Sequence, residues 1–86
     1  MSLSAVIECR PVKDFSDPLL DKVEKTYNDS FPEAERRVFS LVKELVKGEP
    51  RFTVYTLFRN GVYAGFITAW QFESFAYVEH FAIDES

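Results

Sequence analysis

The stretch FTVYTLFRNGVYAGFITAWQF, residues 52–72, decides the fold of this chain. Its first part, Phe52–Arg59, is rich in β-branched and aromatic residues at both parities, which predicts a central strand covered on both faces. Asn60-Gly61 signals a two-residue type I′ turn, because both residues tolerate a positive φ. Val62–Phe72 then returns as an antiparallel partner. The stretch therefore predicts a hairpin at the centre of a β-sheet.

Further elements are predicted on both sides of this hairpin. Ala5–Val12 contains β-branched residues and indicates a first strand. Ser16-Asp17-Pro18 is typical of a helix start, because an oxygen-bearing cap precedes a proline. A second helix is predicted from apolar residues at helical spacing, namely Val38, Leu41, Val42, Leu45 and Val46. Phe75–Ile83 is the last predicted strand. The order β-α-α-β-β-β predicts one α+β domain over residues 1–86, ending in an antiparallel meander.

Composition narrows the class of protein. The 86 residues are 47% hydrophobic and 16% aromatic, enough for a core. A net charge of −4 argues against binding a nucleic-acid backbone, and Arg36-Arg37 is interpreted as part of a solvated helix face. No apolar run reaches the ~20 residues that span a bilayer, so no membrane association is expected. We therefore expect a globular domain in the cytoplasm.

The cysteine and histidine content gives two further expectations. Cys9 is the only cysteine, which fits a reducing compartment, and its strand-like surroundings predict a small buried thiol. His80 is the only histidine. One cysteine and one histidine cannot form a metal cluster unless carboxylates supply the other ligands, so no metal is predicted.

Three short motifs follow one another in the order of a known family. The first is Phe31–Arg37, at the junction of the two predicted helices. The second is Asn60-Gly61 followed by Gly65-Phe66-Ile67, and the third is Tyr77–Asp84. In this order the chain resembles the N-terminal half of the GNAT superfamily of acyl-CoA-dependent N-acetyltransferases, ending at the fourth strand. The resemblance implies transfer of an acetyl group from acetyl-CoA to an amine by direct attack, without a metal or a covalent enzyme intermediate.

The resemblance also implies a cofactor site on the last strand. In the family the fourth strand carries a bulge and splays from the fifth, and the pantetheine arm of acetyl-CoA pairs with its backbone. The matching positions are Phe81, Ala82 and Ile83. An unpaired strand edge can offer partners to the amides of such an arm. The alternative is that Phe81 and Ile83 are ordinary core side chains, and both roles are compatible because the backbone groups would do the binding.

The family's pyrophosphate loop is expected beyond the last strand of this sequence. The three glycines present, Gly48, Gly61 and Gly65, are not spaced to form it. The sequence therefore predicts a truncated GNAT fold, without the pyrophosphate loop and C-terminal half, that is inactive or nearly so alone. The apolar edge Phe75–Ile83 would be left uncovered, which predicts a homo-oligomer through the last strand.

Two residues of the last strand could carry the chemistry. The resemblance makes Glu79 the candidate general base, because relatives use a fourth-strand glutamate, acting directly or through water. A surface glutamate is the alternative, since a bulge decides which way the side chain points. His80 could also transfer protons near neutral pH, although a structural role is favoured. No tyrosine matches the family's general acid.

An acceptor site is implied at the helix junction. Phe31 and the segment Glu33–Arg37 match the region where relatives build an acceptor-binding lip. Trp70 and Phe72 could line the same cleft, or fill core space beside Gly65 and Ala69.

Two other functions stay open on the sequence alone. The chain could be a non-enzymatic α+β binding module that holds a protein partner along its last strand. It could also be a catalytically inactive relative that serves as an assembly piece. A phosphate-loop sequence after residue 86 would favour the enzyme, and a stop codon would favour the binding module.

Overall fold

A computed structural model describes residues 6–12, 14–35 and 37–84. The elements are strand β1 (Ile7–Val12), helix α1 (Leu19–Ser30), a short 3₁₀ turn (Glu33–Glu35), helix α2 (Phe39–Gly48) and strands β2 (Phe52–Arg59), β3 (Val62–Gln71) and β4 (Ala76–Ile83). This order confirms the predicted α+β fold. No helix in these ranges is both long and apolar enough to cross a bilayer.

The four strands form one antiparallel sheet in the order β1-β2-β3-β4. The predicted hairpin is confirmed, because Asn60 and Gly61 have φ values of 52° and 84° and connect paired residues Arg59 and Val62. Strands β2, β3 and β4 are sequential neighbours, whereas β1 reaches β2 across both helices. The sheet therefore has two edges, β1 and β4.

Helix α1 begins directly after the predicted start signal, and a proline explains where it ends. The Leu19 N–H donates to the Asp17 carboxylate at 2.9 Å, which satisfies one free donor of the first turn. At the other end, Phe31 is extended immediately before Pro32, as the proline requires. The buried side chains of α1 share one face: Leu20, Val23, Thr26 and Tyr27.

Helix α2 differs from its prediction in phase. It begins at Phe39 and buries Phe39 and Val42, while Val38 is 70% and Leu41 53% exposed. Val38 has an extended backbone and lies before the first turn, so it cannot share the helical face. The predicted stripe was therefore wrong at its first two members.

The core lies between the helices and one face of the sheet. Its buried residues come from all elements except the 3₁₀ turn: Val12, Leu20, Val23, Tyr27, Phe39, Val42, Phe52, Val54, Phe66 and Ala82. Because both helices pack on this face, the alternate residues of β2 on the opposite face (Thr53, Tyr55 and Leu57) are only half-buried. The predicted central position of β2 is confirmed, but the predicted cover on its second face is only partial for this reason.

Strand β1 adds little to the core. Only Val12 of its six side chains is buried, and Cys9 is exposed rather than buried as predicted. Cys9 lies opposite Leu57, on the sheet face that the helices leave open. Because β1 is an edge strand and no helix in the described residues packs on this face, the thiol stays exposed.

Two bulges bend the strands near the end of β4. In β3, Ala64 has no counterpart in β2, since Leu57 pairs with Gly65 and Phe58 with Tyr63. In β4, Glu79 is the extra residue. Both irregularities increase the local twist and redirect side chains. The bulge implied for the fourth strand is therefore present.

Candidate active site on the fourth strand

The β4 bulge places Glu79 beside the loop between the helices. Thr68 pairs with His80 and Ala69 with Val78, so Glu79 stands between two paired positions. Its side chain reaches Arg37 and Trp70, which lie 42 and 9 residues away in sequence. The bulge therefore turns the carboxylate toward the helix side of the sheet.

Both oxygens of the Glu79 carboxylate accept hydrogen bonds. Arg37 donates from Nε to Oε2 and from Nη2 to Oε1, each at 2.9 Å, in the bidentate geometry that suits this pair. Trp70 Nε1 donates to Oε1 at 3.0 Å. The Nδ1 atom of His80 lies 3.3 Å from Oε2. The carboxylate thus joins a loop residue and two sheet residues.

This environment stabilises the ionised form of Glu79. The hydrogen bonds from Arg37 lower the pKa of Glu79; partial burial opposes this effect, and the hydrogen bond from Trp70 supports it. In return, the hydrogen bond to Glu79 raises the pKa of Arg37. A carboxylate in this state holds a cation more readily than it keeps a proton.

The lowered pKa predicts a pH-dependent contribution to stability. Because the folded pKa of Glu79 lies below the unfolded value of about 4.3, its contribution is full above that pH and falls as pH drops through the folded pKa. Glu79→Gln should therefore lose more stability at pH 7 than at pH 3. Urea unfolding of both proteins across this range measures the difference.

The matched control is Glu8→Gln. Glu8 forms an exposed pair with Arg10, with N–O distances of 2.7 and 2.9 Å, and solvent screens that pair more strongly. Its substitution should have a smaller effect at every pH. Parallel pH curves for the wild type and Glu79→Gln would contradict the role given to the Arg37–Glu79 pair.

His80 lies in an aromatic box under the same loop. Its ring packs edge-on against Tyr27 at 4.9 Å and Phe31 at 4.7 Å between centroids. Its Nε2 lies 3.3 Å from the Glu35 carbonyl oxygen, and its Nδ1 lies 3.5 Å from Thr68 Oγ1. This packing fits the structural role favoured for His80, and it brings Phe31 of the predicted acceptor lip onto the strand.

Trp70 contacts both the core and Glu79. Its ring packs against Phe52 at 5.1 Å and is parallel to Phe72 at 6.2 Å, so it covers the edge of the core. Its indole N–H also binds the Glu79 carboxylate. Trp70 is therefore part of the Glu79 site, whereas Phe72 stacks on its outer side.

The free edge of β4 presents backbone groups at alternate residues. The Asp84 N–H donates to Ala64 O at 2.8 Å, and the Ala82 carbonyl oxygen is directed at Gly65, so both residues face β3. The backbone groups of Phe81 and Ile83 consequently point away from the sheet. Of the three predicted cofactor-binding positions, Phe81 and Ile83 are on the open edge and Ala82 is not.

The end of β4 is also exposed on the open face of the sheet, opposite the helices. Phe81 and Ile83 pair with Ile67 and Gly65 on the face opposite the helices, and their side chains are about half exposed. They line a cavity of about 530 Å³ together with Ile7 and Leu57. The end of β4 is therefore accessible from its edge and from its open face.

Arg37 was included in the predicted acceptor-lip segment Glu33–Arg37, but its contact with Glu79 was not predicted. It was interpreted as part of a solvated helix face, but it lies before α2 and binds Glu79. The side chain of Arg36 lies outside the described residues. The available signal was one basic residue at a helix junction and one carboxylate on the last strand, and nothing in the spacing links them.

Comparison with known proteins identifies a structural relative. No protein-family model matches the sequence, and no curated protein matches it. A solved structure is similar, described as "Putative acetyltransferase from GNAT family from Bacteroides thetaiotaomicron", with a TM-score of 0.83 and 33% identity. The match covers 91% of this chain and 44% of that one, so this chain spans less than half of its relative. By fold, element order and sequence the chain is related to the GNAT superfamily, of whose fold it carries a part.

Proposed function

We propose that this chain is the N-terminal portion of an acetyltransferase that moves an acetyl group from acetyl-CoA to an amine. The supporting observation is the arrangement at the end of β4. There the carboxylate of Glu79, at the bulge, lies beside a strand edge on which the backbone groups of Phe81 and Ile83 point away from the sheet. The relation to a GNAT-family protein supports the same reaction. The described residues include no glycine-rich turn at a helix N-terminus for a pyrophosphate, so the 86-residue chain should have little activity alone.

The chain's own residues would divide the work along β4. Phe81 and Ile83 would pair with the amide arm of acetyl-CoA, which supplies the acetyl thioester. In the transfer the amine nitrogen would bond to the acetyl carbon, the carbon–sulfur bond would break with CoA leaving as its thiolate, and the nitrogen would lose a proton. Glu79 is the proposed acceptor of that proton, directly or through water. Phe31 and Trp70 would form the wall on the acceptor side.

The cofactor part is tested by nitrogen-edited NMR of the 86-residue chain with acetyl-CoA. We expect shifts of the Phe81 and Ile83 amide signals with a Kd in the millimolar range, because only the arm is held. Ile83→Pro removes one outward N–H together with its signal, and it should weaken the shift that remains at Phe81. The control, Cys9→Pro, places a proline on the opposite edge strand and should leave both shifts unchanged. Shifts elsewhere, or micromolar binding, would contradict the proposal.

The open edge also supports a homo-oligomer through β4. Val78 is 54% exposed, near the half-exposed Phe81 and Ile83, and among the described residues no strand pairs with the outer side of β4. We expect a dimer in size-exclusion chromatography with light scattering. Val78→Lys should shift it to the monomer, whereas Val38→Lys on the helix side should not. A monomeric wild type would refute this pairing.

The exposed thiol of Cys9 accords with the proposed cytoplasmic location.

The second candidate is a protein-binding module that uses β4 as an edge. The same unpaired backbone groups and the cavity beside Ile7 and Leu57 favour it. An extended peptide would then shift the Phe81 and Ile83 signals while acetyl-CoA would not. The GNAT relationship favours the transferase.

A further inference from the structure

The Arg37–Glu79 pair is asymmetric in its exposure. The Arg37 side chain is 41% exposed, whereas the Glu79 side chain is 15% exposed. The guanidinium therefore lies on the outside and covers the carboxylate beneath it. A cation that approaches Glu79 from solvent on this side meets Arg37 first.

Arg37 also lines two cavities that contain other carboxylates. It lines a cavity of about 320 Å³ that also includes Glu24 and Glu33, and a second cavity of about 400 Å³ that includes Glu44. Each of these cavities offers a carboxylate in a wetter setting than Glu79. A guanidinium displaced from Glu79 could therefore be neutralised nearby without being buried again.

The Arg37 backbone is held independently of its side chain. Its N–H donates to the hydroxyl oxygen of Tyr27 at 2.7 Å, and Tyr27 is buried in the core. The side chain can consequently leave Glu79 by rotating about its own bonds. The loop need not detach from α1 for this to happen.

We propose that Arg37 occupies at Glu79 the position that the ammonium group of the acceptor takes, and that the acceptor binds by displacing it. This inference rests on the proposed acetyltransferase function and specifies its substrate as a primary amine recognised in its charged form. A primary ammonium group has three N–H donors on a compact centre and can donate to the Glu79 carboxylate as a point charge, without the two-pronged geometry of the guanidinium. Neutral molecules and quaternary ammonium ions lack the charge or the donors to compete.

The test follows the pair directly in the 86-residue chain. Trp70 is the only tryptophan, and its indole N–H donates to Glu79, so its NMR signal reports on the carboxylate. The Arg37 Nε–H signal reports on the guanidinium. Titration with n-propylammonium chloride should shift both signals saturably. Tetramethylammonium chloride at equal ionic strength should shift neither, and equal responses to the two salts would overturn the proposal.

Variants separate competition from simple support. Arg37→Gln removes the competing cation, so n-propylammonium should bind about fivefold more tightly or better, as a larger fraction of molecules has a free carboxylate. Glu79→Gln should abolish binding. The matched control, Arg10→Gln, removes a bidentate arginine–glutamate pair on β1 and should leave the Kd unchanged. Weaker binding by Arg37→Gln would show that Arg37 supports the site and would refute the displacement.

These outcomes are independent of the acetyl-CoA experiment. The comparison of wild type with Arg37→Gln remains decisive even if Glu79→Gln does not fold. Ammonium binding without acetyl-CoA shifts at Phe81 and Ile83 would keep the displacement of Arg37 but refute its role in acetyl transfer. Shifts at those residues without ammonium competition would do the reverse.

Discussion

Replacing Gly65 by alanine is expected to destabilise the chain by about 3 kcal/mol or more. A Cβ at this position would overlap the Ala82 carbonyl oxygen and lie about 3.0 Å from Ile83 Cα. Both are backbone atoms of β4, so the strand itself would have to move. The backbone φ of Gly65 is also 158°, a value that residues with a Cβ atom seldom adopt. The substitution should therefore break the pairing of β3 with β4 at the proposed cofactor edge.

Gly48→Ala is the matched control for this prediction. A Cβ at Gly48, the last residue of α2, would have no atom within 4 Å. Alanine there should be neutral or stabilise the chain by up to about 1 kcal/mol. Urea unfolding of both variants at pH 7 measures the difference. A Gly65→Ala protein within about 0.5 kcal/mol of the wild type would contradict the close approach of the two strands.

Phe66→Ala should have the largest effect in the core, a loss of about 3–5 kcal/mol. Phe66 is 0% exposed and lies at the centre of the sheet, paired with Thr56 on one side and Ala82 on the other. The centroid of its ring also lies 5.9 Å from that of the Tyr27 ring on α1. A domain of this size has only roughly 4–13 kcal/mol of stability, so the variant should be largely unfolded in moderate urea.

The control for Phe66 is Phe75→Ala, which removes the same side chain from a 60% exposed position. Phe75 contacts Phe72 at 4.9 Å, so a loss of less than about 1 kcal/mol is expected. The two variants can be compared by thermal unfolding followed by circular dichroism. Similar losses for the two would contradict the position of the core between α1 and the helix-side face of the sheet.

The hairpin and the element order were predictable because local signals suffice for them. Asn60 and Gly61 adopt the positive φ values that their residue types favour. Alternation along β2 also separates the buried Val54 and Thr56 from their half-buried neighbours. What alternation could not give was the covering of the second face. That depends on where the helices pack, and they pack on one side only.

The errors occurred where tertiary contacts override a local pattern. Val38 continues the apolar spacing of α2, but its backbone is extended and the helix begins only at Phe39. Cys9 looks like a core residue of a strand, yet β1 is an edge on the open face. Neither fact can be read from the residues within a few positions of the site.

The candidate site was predictable as a strand but not as a network. Glu79 could be selected because it is the carboxylate within β4, and Trp70 because it is near the end of β3. Arg37 was selected only as part of the segment Glu33–Arg37, and its pairing with Glu79 could not be predicted because the two residues are 42 positions apart. The bulge also turns Glu79 to a side that alternation does not predict.

The exposed side chains of β1 have a consequence for local unfolding. Since only Val12 is buried, β1 is held mainly by its backbone hydrogen bonds to β2, and the core loses little when it opens. In native-state hydrogen exchange, the β1 amides should therefore lose protection at lower denaturant than those of β2 and β3. Deuterium uptake resolved by residue would show the strand detaching as a separate cooperative unit while the hairpin stays closed.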